Sequence, residues 1–437
     1  MKTIVVKFGG SSLADAEHIR KAAAIIKADP ARRIAVVSAP GKRTGSDTKV
    51  TDMLYQCFDL AYAGKDHTPV LDQIRQRFAD IIEGLGIEFD LDKEITKIDT
   101  QLRENPQKHY MASRGEYLNA KIIAAFLGFR FLDTKKLIHF TSYGKLNETS
   151  TAADLGAALS GDECIVLPGF YGSLEDGSIH TFSRGGSDVT GSLAAAAAGA
   201  DIYENWTDVS GVLFTDPRIV KDARPIDYIT YRELRELSYM GASVLHEDAI
   251  FPVRKCGIPI NIRNTNAPED AGTMIVAEAP ENAEKRVVTG LAGKKGFTSV
   301  HVEKSMMNSE VGFGVKLLDI FQKNDVPFEH CPTGIDTMSV IVNSAEFREK
   351  KDVVLQQIRQ ILQPEFVSID TDLALIAIVG RGMVYTKGTA ARVFSCLAAC
   401  GVNIRMIDQG SSEMNIIIGI DGEDYNAALN ALSAEFA

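Results

Sequence analysis

No stretch of this chain approaches the roughly 20 apolar residues needed to span a bilayer. Its opening apolar run, Ile4-Val5-Val6, is too short for a secretory signal. The six cysteines form no C-x-x-C pair. Cys396 and Cys400 share a helical face and read as core, so the pattern is that of a reduced compartment and the protein is expected in the cytoplasm. Cations are in deficit: the formal net charge is −11 over 437 residues. That argues against nucleic-acid and anionic-membrane surfaces. It leaves nucleotides open, since local backbone N–H groups and a few cations suffice to hold them. Neither a Walker A loop nor a G-x-G-x-x-G fingerprint is present, so P-loop kinases and Rossmann dehydrogenases are disfavoured. What remains is ordinary soluble composition, 45% hydrophobic and 24% charged, in a chain long enough for two or three domains.

Ile4-Val5-Val6 and Ile34-Ala35-Val36-Val37 read as short buried strands. Between them lie Gly9-Gly10 and a helix over about residues 14–27, opened by a capping box of Ser12 and Asp15. This alternation predicts an α/β domain of three layers, a mostly parallel sheet covered by helices, with ligands at the carboxyl ends of its strands. Gly9-Gly10 and Ser38 fall there. Residues from about 50 to 105 read as helical, and Glu116 is expected to open a helix after Ser113-Arg114-Gly115. Residues 164–170 read as a strand, Asp176-Gly177 as a hairpin turn, and 190–200 as an alanine-rich helix whose N-terminus faces Ser187-Asp188 and suits an anion. Composition shifts at 280–285, which sets the expected end of a first domain, 1–285. Beyond it the order strand, helix, strand, strand, helix, strand occupies 297–302, 311–323, 326–331, 337–342, 347–362 and 366–369. It restarts at 373–379, 390–400, 403–408, 414–420 and 425–436. Two ferredoxin-like βαββαβ units are therefore expected, 286–372 and 373–437, with 286–292 completing the second sheet.

Three segments carry chemistry. Lys7 ends a strand before Gly9-Gly10-Ser11, where a point charge can reach a transferring phosphoryl group. Ser183-Arg184-Gly185-Gly186-Ser187-Asp188 offers a guanidinium for a carboxylate or phosphate. Its glycines let backbone N–H groups approach a ligand, and its carboxylate suits a magnesium-bound phosphate or an ammonium. Trp206-Thr207-Asp208-Val209-Ser210-Gly211 continues into Thr215-Asp216-Pro217-Arg218. Each segment alone has a plainer reading, as a solvated lysine, a glycine turn or an Asp-Pro-Arg turn. Arg184 and Glu116 are also a complementary pair for an amino acid, guanidinium to α-carboxylate and carboxylate to α-ammonium.

In this order the three segments resemble the aspartokinases of the amino-acid kinase family. The resemblance implies phosphoryl transfer from ATP, with Mg2+, to L-aspartate, giving ADP and 4-phospho-L-aspartate at the head of lysine, threonine and methionine synthesis. It implies Lys7 and Asp188 as the catalytic pair. It implies aspartate held by Ser38, Thr51, Glu116, Arg184 and Ser187. ATP would be held by Lys7, Gly9, Gly10, Ser11, Thr207, Asp208, Leu213, Arg218, Ser243 and Val244. The attacking β-carboxylate is already ionised at pH 7, so no general base is needed, and catalysis rests on in-line positioning and charge stabilisation. Two departures stand out. Leu213 occupies a place where relatives often carry an aromatic. Ser243 replaces a phosphate-contacting lysine, for which Arg218 and Lys255 are the candidate substitutes; His246 reads as structural.

The tandem βαββαβ units resemble ACT domains. That resemblance implies an amino-acid effector, lysine first and threonine second, at Met307, Gly312, Phe313, Phe328, Glu329 and Thr333. Glu310 and Gly334-Ile335 depart from the lysine-sensitive pattern. It also implies a homodimer through residues after about 290, with a tetramer open. Bifunctional relatives continue into a homoserine dehydrogenase, so this chain is expected to be monofunctional. Two rivals stay open: another amino-acid kinase, such as one using glutamate, and a catalytically weak amino-acid sensor. The tandem ACT units oppose the first. Lys7 and Asp188 oppose the second, which the missing lysine at 243 favours.

Overall fold

The structure, a computed structural model, describes residues 2–437 apart from 184, 242–244, 246 and 282–285. The chain divides into two compact units. The first comprises Met1–Val212, Asp227–Tyr231 and Val244–Glu281; the second comprises Leu213–Ile226, Arg232–Ser243 and Asn282–Ala437. The second thus takes in two segments upstream of the expected boundary near 285. Among the described residues no helix is long and apolar enough to cross a membrane, and the six cysteines are free thiols.

Short apolar strands buried at every position are what a sheet covered on both faces demands. In the first unit β1 (Ile4–Phe8), β2 (Ile34–Val37), β3 (Arg130–Phe131) and β4 (Ile165–Pro168) precede a small hairpin, β5 (Tyr171–Ser173) and β6 (Ile179–Thr181). Then come β7 (Ile202–Thr207), β8 (Tyr228–Thr230), β9 (Ile260–Asn264) and β10 (Thr273–Val276). Among the described residues the main sheet runs β3-β4-β2-β1-β7-β9-β10-β8. Every pairing in it is parallel except β9 with β10. The helices Ala16–Lys27, Val50–Tyr62, Thr68–Leu85, Leu91–Glu104 and Lys108–Leu127 contribute to one large apolar cluster with β1 and β2.

Three local expectations are corrected. Asp15 alone caps the helix Ala16–Lys27, accepting from the His18 amide, while the Ser12 hydroxyl pairs with Thr265 Oγ1 at 2.7 Å. Glu116 does not open a helix; it lies within Lys108–Leu127. Gly115 sits mid-helix because a Cβ there would come within 2.7 Å of Ala39 Cβ and 3.3 Å of Leu54 Cδ1. Close packing outweighs the modest cost of a helical glycine. The alanine-rich helix begins earlier than expected, at Gly186, and places Ser187 and Asp188 in its own first turn. The expected hairpin turn is present, with Gly177 at φ 79° between β5 and β6.

In the second unit β11 (Gly290–Glu303), β12 (Thr337–Asn343), β13 (Phe366–Val379), β14 (Ile404–Asp408) and β15 (Asn415–Asp421) form one antiparallel sheet, ordered β12-β11-β13-β15-β14. The tandem units thus share a sheet rather than each having its own. The cause is two long strands: β11 pairs with β13 from Gly290↔Val379 to Glu303↔Phe366, across an irregularity at Lys295–Ser299. The run 290–295 pairs with 374–379 of the second repeat, and 366–369 fuses with 373–379 into β13. Segment 326–331 is not a strand and forms only isolated bridges such as His330↔Ile341. Pro327 within it and Pro332 just after it have no N–H to give a ladder.

Candidate active site

The parallel strands β4, β2, β1 and β7 are neighbours, and the chemistry sits where they end. Lys7 is the penultimate residue of β1, buried, and Gly9 follows the strand. Ser38 follows β2 and donates its backbone N–H to Phe8 O at 3.2 Å. Gly169 follows β4 and packs on Ser187; a Cβ there would lie 2.5 Å from the Ser187 hydroxyl. Thr207 ends β7, and its hydroxyl bonds Asp208 Oδ1 at 3.1 Å. The loop crossing β1 and β2 is tight: Gly41 N–H donates to Gly10 O at 2.8 Å, and a Cβ on Gly41 would fall 2.5 Å from Gly10 C.

The helix Gly186–Ala197 starts from Gly185 in the left-handed region at φ 56°, and among the described residues no side chain caps it. Its first amides are therefore available to an anion. From that first turn Asp188 Oδ1 meets Lys7 Nζ at 2.6 Å. The pair is partly buried, so removing either member leaves an uncompensated charge. Asn205 of β7 closes a triangle with them, Nδ2 donating to Asp188 Oδ1 at 2.7 Å and Oδ1 accepting from Lys7 Nζ at 3.4 Å.

Glu116 is fully buried, and one of its carboxyl oxygens, Oε2, has no hydrogen-bond partner among the described residues. Burial pushes its carboxyl up to about 8, against the lowering effect of the Ala39 amide and of Arg114. Arg114 is itself enclosed by tyrosines, its guanidinium 4.4 Å from the Tyr110 and Tyr117 ring centres and 5.6 Å from that of Tyr171. An unsatisfied buried carboxyl costs stability unless something arrives to pair it. Such groups mark binding sites. Thr51 lies half-buried in the first turn of Val50–Tyr62, the helix whose Val50 and Leu54 meet Gly115. The long loop before it is fastened by buried Arg77, which holds the Asp47 carboxylate and, at 2.7 Å, the Gly41 carbonyl.

The structure thus brings together Lys7, Gly9, Gly10, Ser38, Glu116, Ser187, Asp188 and Thr207 along adjoining strand ends. Ser11 and Asp208 are exposed beside them. Leu213 and Arg218 belong to the second unit: Leu213 bridges Pro225, and Arg218, 86% exposed, is paired to Asp216. Lys255 is paired with Glu148 at 3.7 Å. Arg184, Ser243, Val244 and His246 lie outside the described residues. Sequence reasoning missed Asn205 and Arg114. The signal for Asn205 is a polar residue inside a buried strand; for Arg114 it is a tyrosine four residues before it and another three residues after it on one helix.

In the second unit Met307 and Phe313 are buried in the core beside β11 and β12, and Gly312, at φ 84°, starts the helix Phe313–Lys323. Phe328 and Thr333 are exposed. Glu329 Oε2 accepts from the Tyr239 hydroxyl. Glu310 is held by Lys304 at 2.7 Å and Lys316 at 2.8 Å, which keep its carboxyl near 2.

The arrangement is that of an enzyme moving a phosphoryl group onto a small amino acid, and comparison with known proteins agrees. A model of the "Amino acid kinase family" matches residues 2–264, and one of an "ACT domain" matches 376–436. Aspartokinase 3 of Bacillus subtilis is 38% identical over 454 residues, covering 99% of this chain and 98% of that protein. The crystal structure of Clostridium acetobutylicum aspartate kinase superposes with a TM-score of 0.91 at 44% identity, covering all of both chains. Aspartokinase III of Escherichia coli, in complex with aspartate and ADP, has a TM-score of 0.75 at 25% identity over 99% of each chain. The chain belongs to the amino acid kinase family. Within that family it is an aspartate kinase with ACT regulation.

Proposed function

We propose that the residues at these strand ends divide the reaction, ATP plus L-aspartate to ADP plus 4-phospho-L-aspartate, as follows. Lys7 stabilises charge on the transferring phosphoryl group, and Asp188 orients Lys7. Glu116 takes the substrate's α-ammonium and Arg184 its α-carboxylate, while Ser38, Thr51 and Ser187 surround it with hydroxyls. Gly9, Gly10 and the first turn of Gly186–Ala197 present backbone N–H groups to the phosphates. Thr207 and Asp208, at the end of β7, face the rest of the nucleotide. The observation carrying this reading is the Lys7–Asp188 ion pair at 2.6 Å beside an uncapped helix start.

Magnesium fits this donor set. It is held as a rule by one or two carboxylates and the substrate's own phosphates, not by a protein cage. Asp188 supplies a hard oxygen at the site, and among the described residues no group of three or more ligating side chains is preassembled. When bound with ATP the ion would neutralise phosphate charge. Every other role stays with the residues named. The aspartyl phosphate, trapped as its hydroxamate from purified protein, ATP and aspartate, is the direct test. Hydroxamate from glutamate instead would move the reading to another amino-acid kinase, and none from either would favour a sensor.

Asp208 is exposed and accepts from the hydroxyl of its neighbour Thr207 at 3.1 Å, which leaves carboxylate oxygen to meet the ribose or phosphates. Asp208→Ala is expected to raise the ATP KM about tenfold, the scale of one charge-assisted hydrogen bond, and to spare the aspartate KM. An unchanged ATP KM would relocate the nucleotide.

The ACT sheet is proposed to join two copies and to bind the effector at Met307, Gly312, Phe313, Phe328, Glu329 and Thr333. β14 is an outer strand with Ile407 49% exposed, an apolar edge that a second chain would cover. Glu329 is the group for the effector's ammonium. Lysine, or failing that threonine, is expected to inhibit with a coupling of about 1–3 kcal/mol. Glu329→Ala is expected to lose that response. Titration of activity with each amino acid, alone and together, checks it, and no inhibition in any arm removes the feedback role.

A further inference from the structure

We propose that Asn205 is a positioning residue for the catalytic pair, its carboxamide fixing the Lys7 ammonium and the Asp188 carboxylate relative to one another. The proposal rests on the roles assigned above to Lys7 and Asp188. Asn205 stands in β7 directly across from Lys7 in β1 and is 4% exposed. It uses both ends of its amide, accepting from Lys7 Nζ at 3.4 Å and donating to Asp188 Oδ1 at 2.7 Å. The ion pair closes the third side at 2.6 Å.

A carboxamide offers an acceptor to an ammonium and a donor to a carboxylate without adding charge. Leucine has similar bulk and offers neither. Aspartate could accept from Lys7 but, when ionised, would repel Asp188. The strand holds the helix Gly186–Ala197 at a second point as well. Tyr203, two residues earlier and on the same face, donates to the Asp188 backbone carbonyl at 3.1 Å. A Cβ on Gly191 would come within 2.5 Å of the Tyr203 hydroxyl, so the helix lies hard against it. Tyr203 thus sets the main chain at Asp188 and Asn205 sets its side chain. The flanking Glu204 and Trp206 point to the opposite face, where Glu204 binds Arg32 at 2.8 Å and the Trp206 indole N–H at 2.8 Å. The charged groups facing the amide are therefore Lys7 and Asp188. A lysine on its flexible stem gains catalytic value from being held where the charge develops, and small misplacements cost large factors in rate.

The test uses the full-length enzyme with both substrates saturating. Asn205→Leu is expected to lower kcat by roughly 10- to 100-fold, with both KM values within about threefold and an unchanged melting temperature. Asn205→Asp is expected to be equally weak at pH 8 and to recover relative to wild type as pH falls. A protonated carboxyl again offers one donor and one acceptor, a recovery that a purely structural role would not produce. In a Lys7→Ala background Asn205→Leu should cost little more, because the group it positions is gone. The proposal is overturned if Asn205→Leu keeps kcat within twofold, or if Asn205→Asp shows no recovery at low pH. Should Asn205→Leu fail to fold, the pH profile of Asn205→Asp decides. If Lys7→Ala itself keeps wild-type kcat, the underlying assignment fails instead; if Lys7→Ala is crippled and Asn205→Leu is not, only this proposal does.

Discussion

Lys7→Ala is expected to lower kcat by about 100-fold or more, the loss typical of one preorganised group stabilising transition-state charge. Phosphoryl transfer asks little covalent chemistry of the protein, so positioned charge carries most of the catalysis. Lys7 is the cation the structure fixes at the end of β1, and it is held there by Asp188 and Asn205. In the variant Asp188 keeps the Asn205 amide at 2.7 Å, and Tyr203 still holds its backbone. The helix start should therefore survive, and the loss should lie in kcat rather than in folding. Steady-state kinetics with circular dichroism on the same preparation separate the two. A folded variant within threefold of wild-type kcat would strip Lys7 of its role.

The parallel sheet was legible because β1, β2 and β4 are short, mostly apolar runs with glycine soon after their carboxyl ends. Lys7 and Ser38 could be placed at strand ends for that reason, and Ser187-Asp188 at a helix start. Glu116 was found with the wrong local structure. Glycine two residues after Ser113 reads as a break, and only the nearness of Ala39, on another loop, makes glycine necessary inside the helix. The joined ACT sheet was hidden for a similar reason. Separate strands are expected at 366–369 and 373–379, yet the chain passes through Asp372 at φ 59° and continues pairing as β13. Asn205 could not be assigned from sequence because its partners lie 17 and 198 positions away. Only the register of β1 with β7 and the seating of the helix Gly186–Ala197 bring them to it.

Aspartate binding should strengthen as pH rises from 6 to 8, and Glu116→Gln should abolish that dependence. Burial disfavours the charged form of Glu116 and pushes its carboxyl up to about 8, so in the free enzyme it is largely protonated below that pH. An ammonium is held by the carboxylate, not by the neutral acid. Substrate therefore binds the ionised fraction, roughly 1% at pH 6, 10% at pH 7 and half at pH 8, and the apparent affinity falls by the same fraction. The aspartate Kd is expected to drop about tenfold per pH unit between 6 and 7 and to flatten above 8. Binding at pH 7 should release close to one proton, visible in calorimetry across buffers of different ionisation enthalpy. Glu116→Gln fills the same space with no charge to titrate. At pH 8 it should raise the aspartate KM about 30-fold, the equivalent of about 2 kcal/mol for a buried ammonium left without its carboxylate. The ATP KM should change less than twofold. At pH 6, where the wild-type carboxyl is mostly neutral, the two enzymes should converge. A wild-type Kd that is flat from pH 6 to 8, or a variant that harms ATP and aspartate alike, would detach Glu116 from the substrate's ammonium.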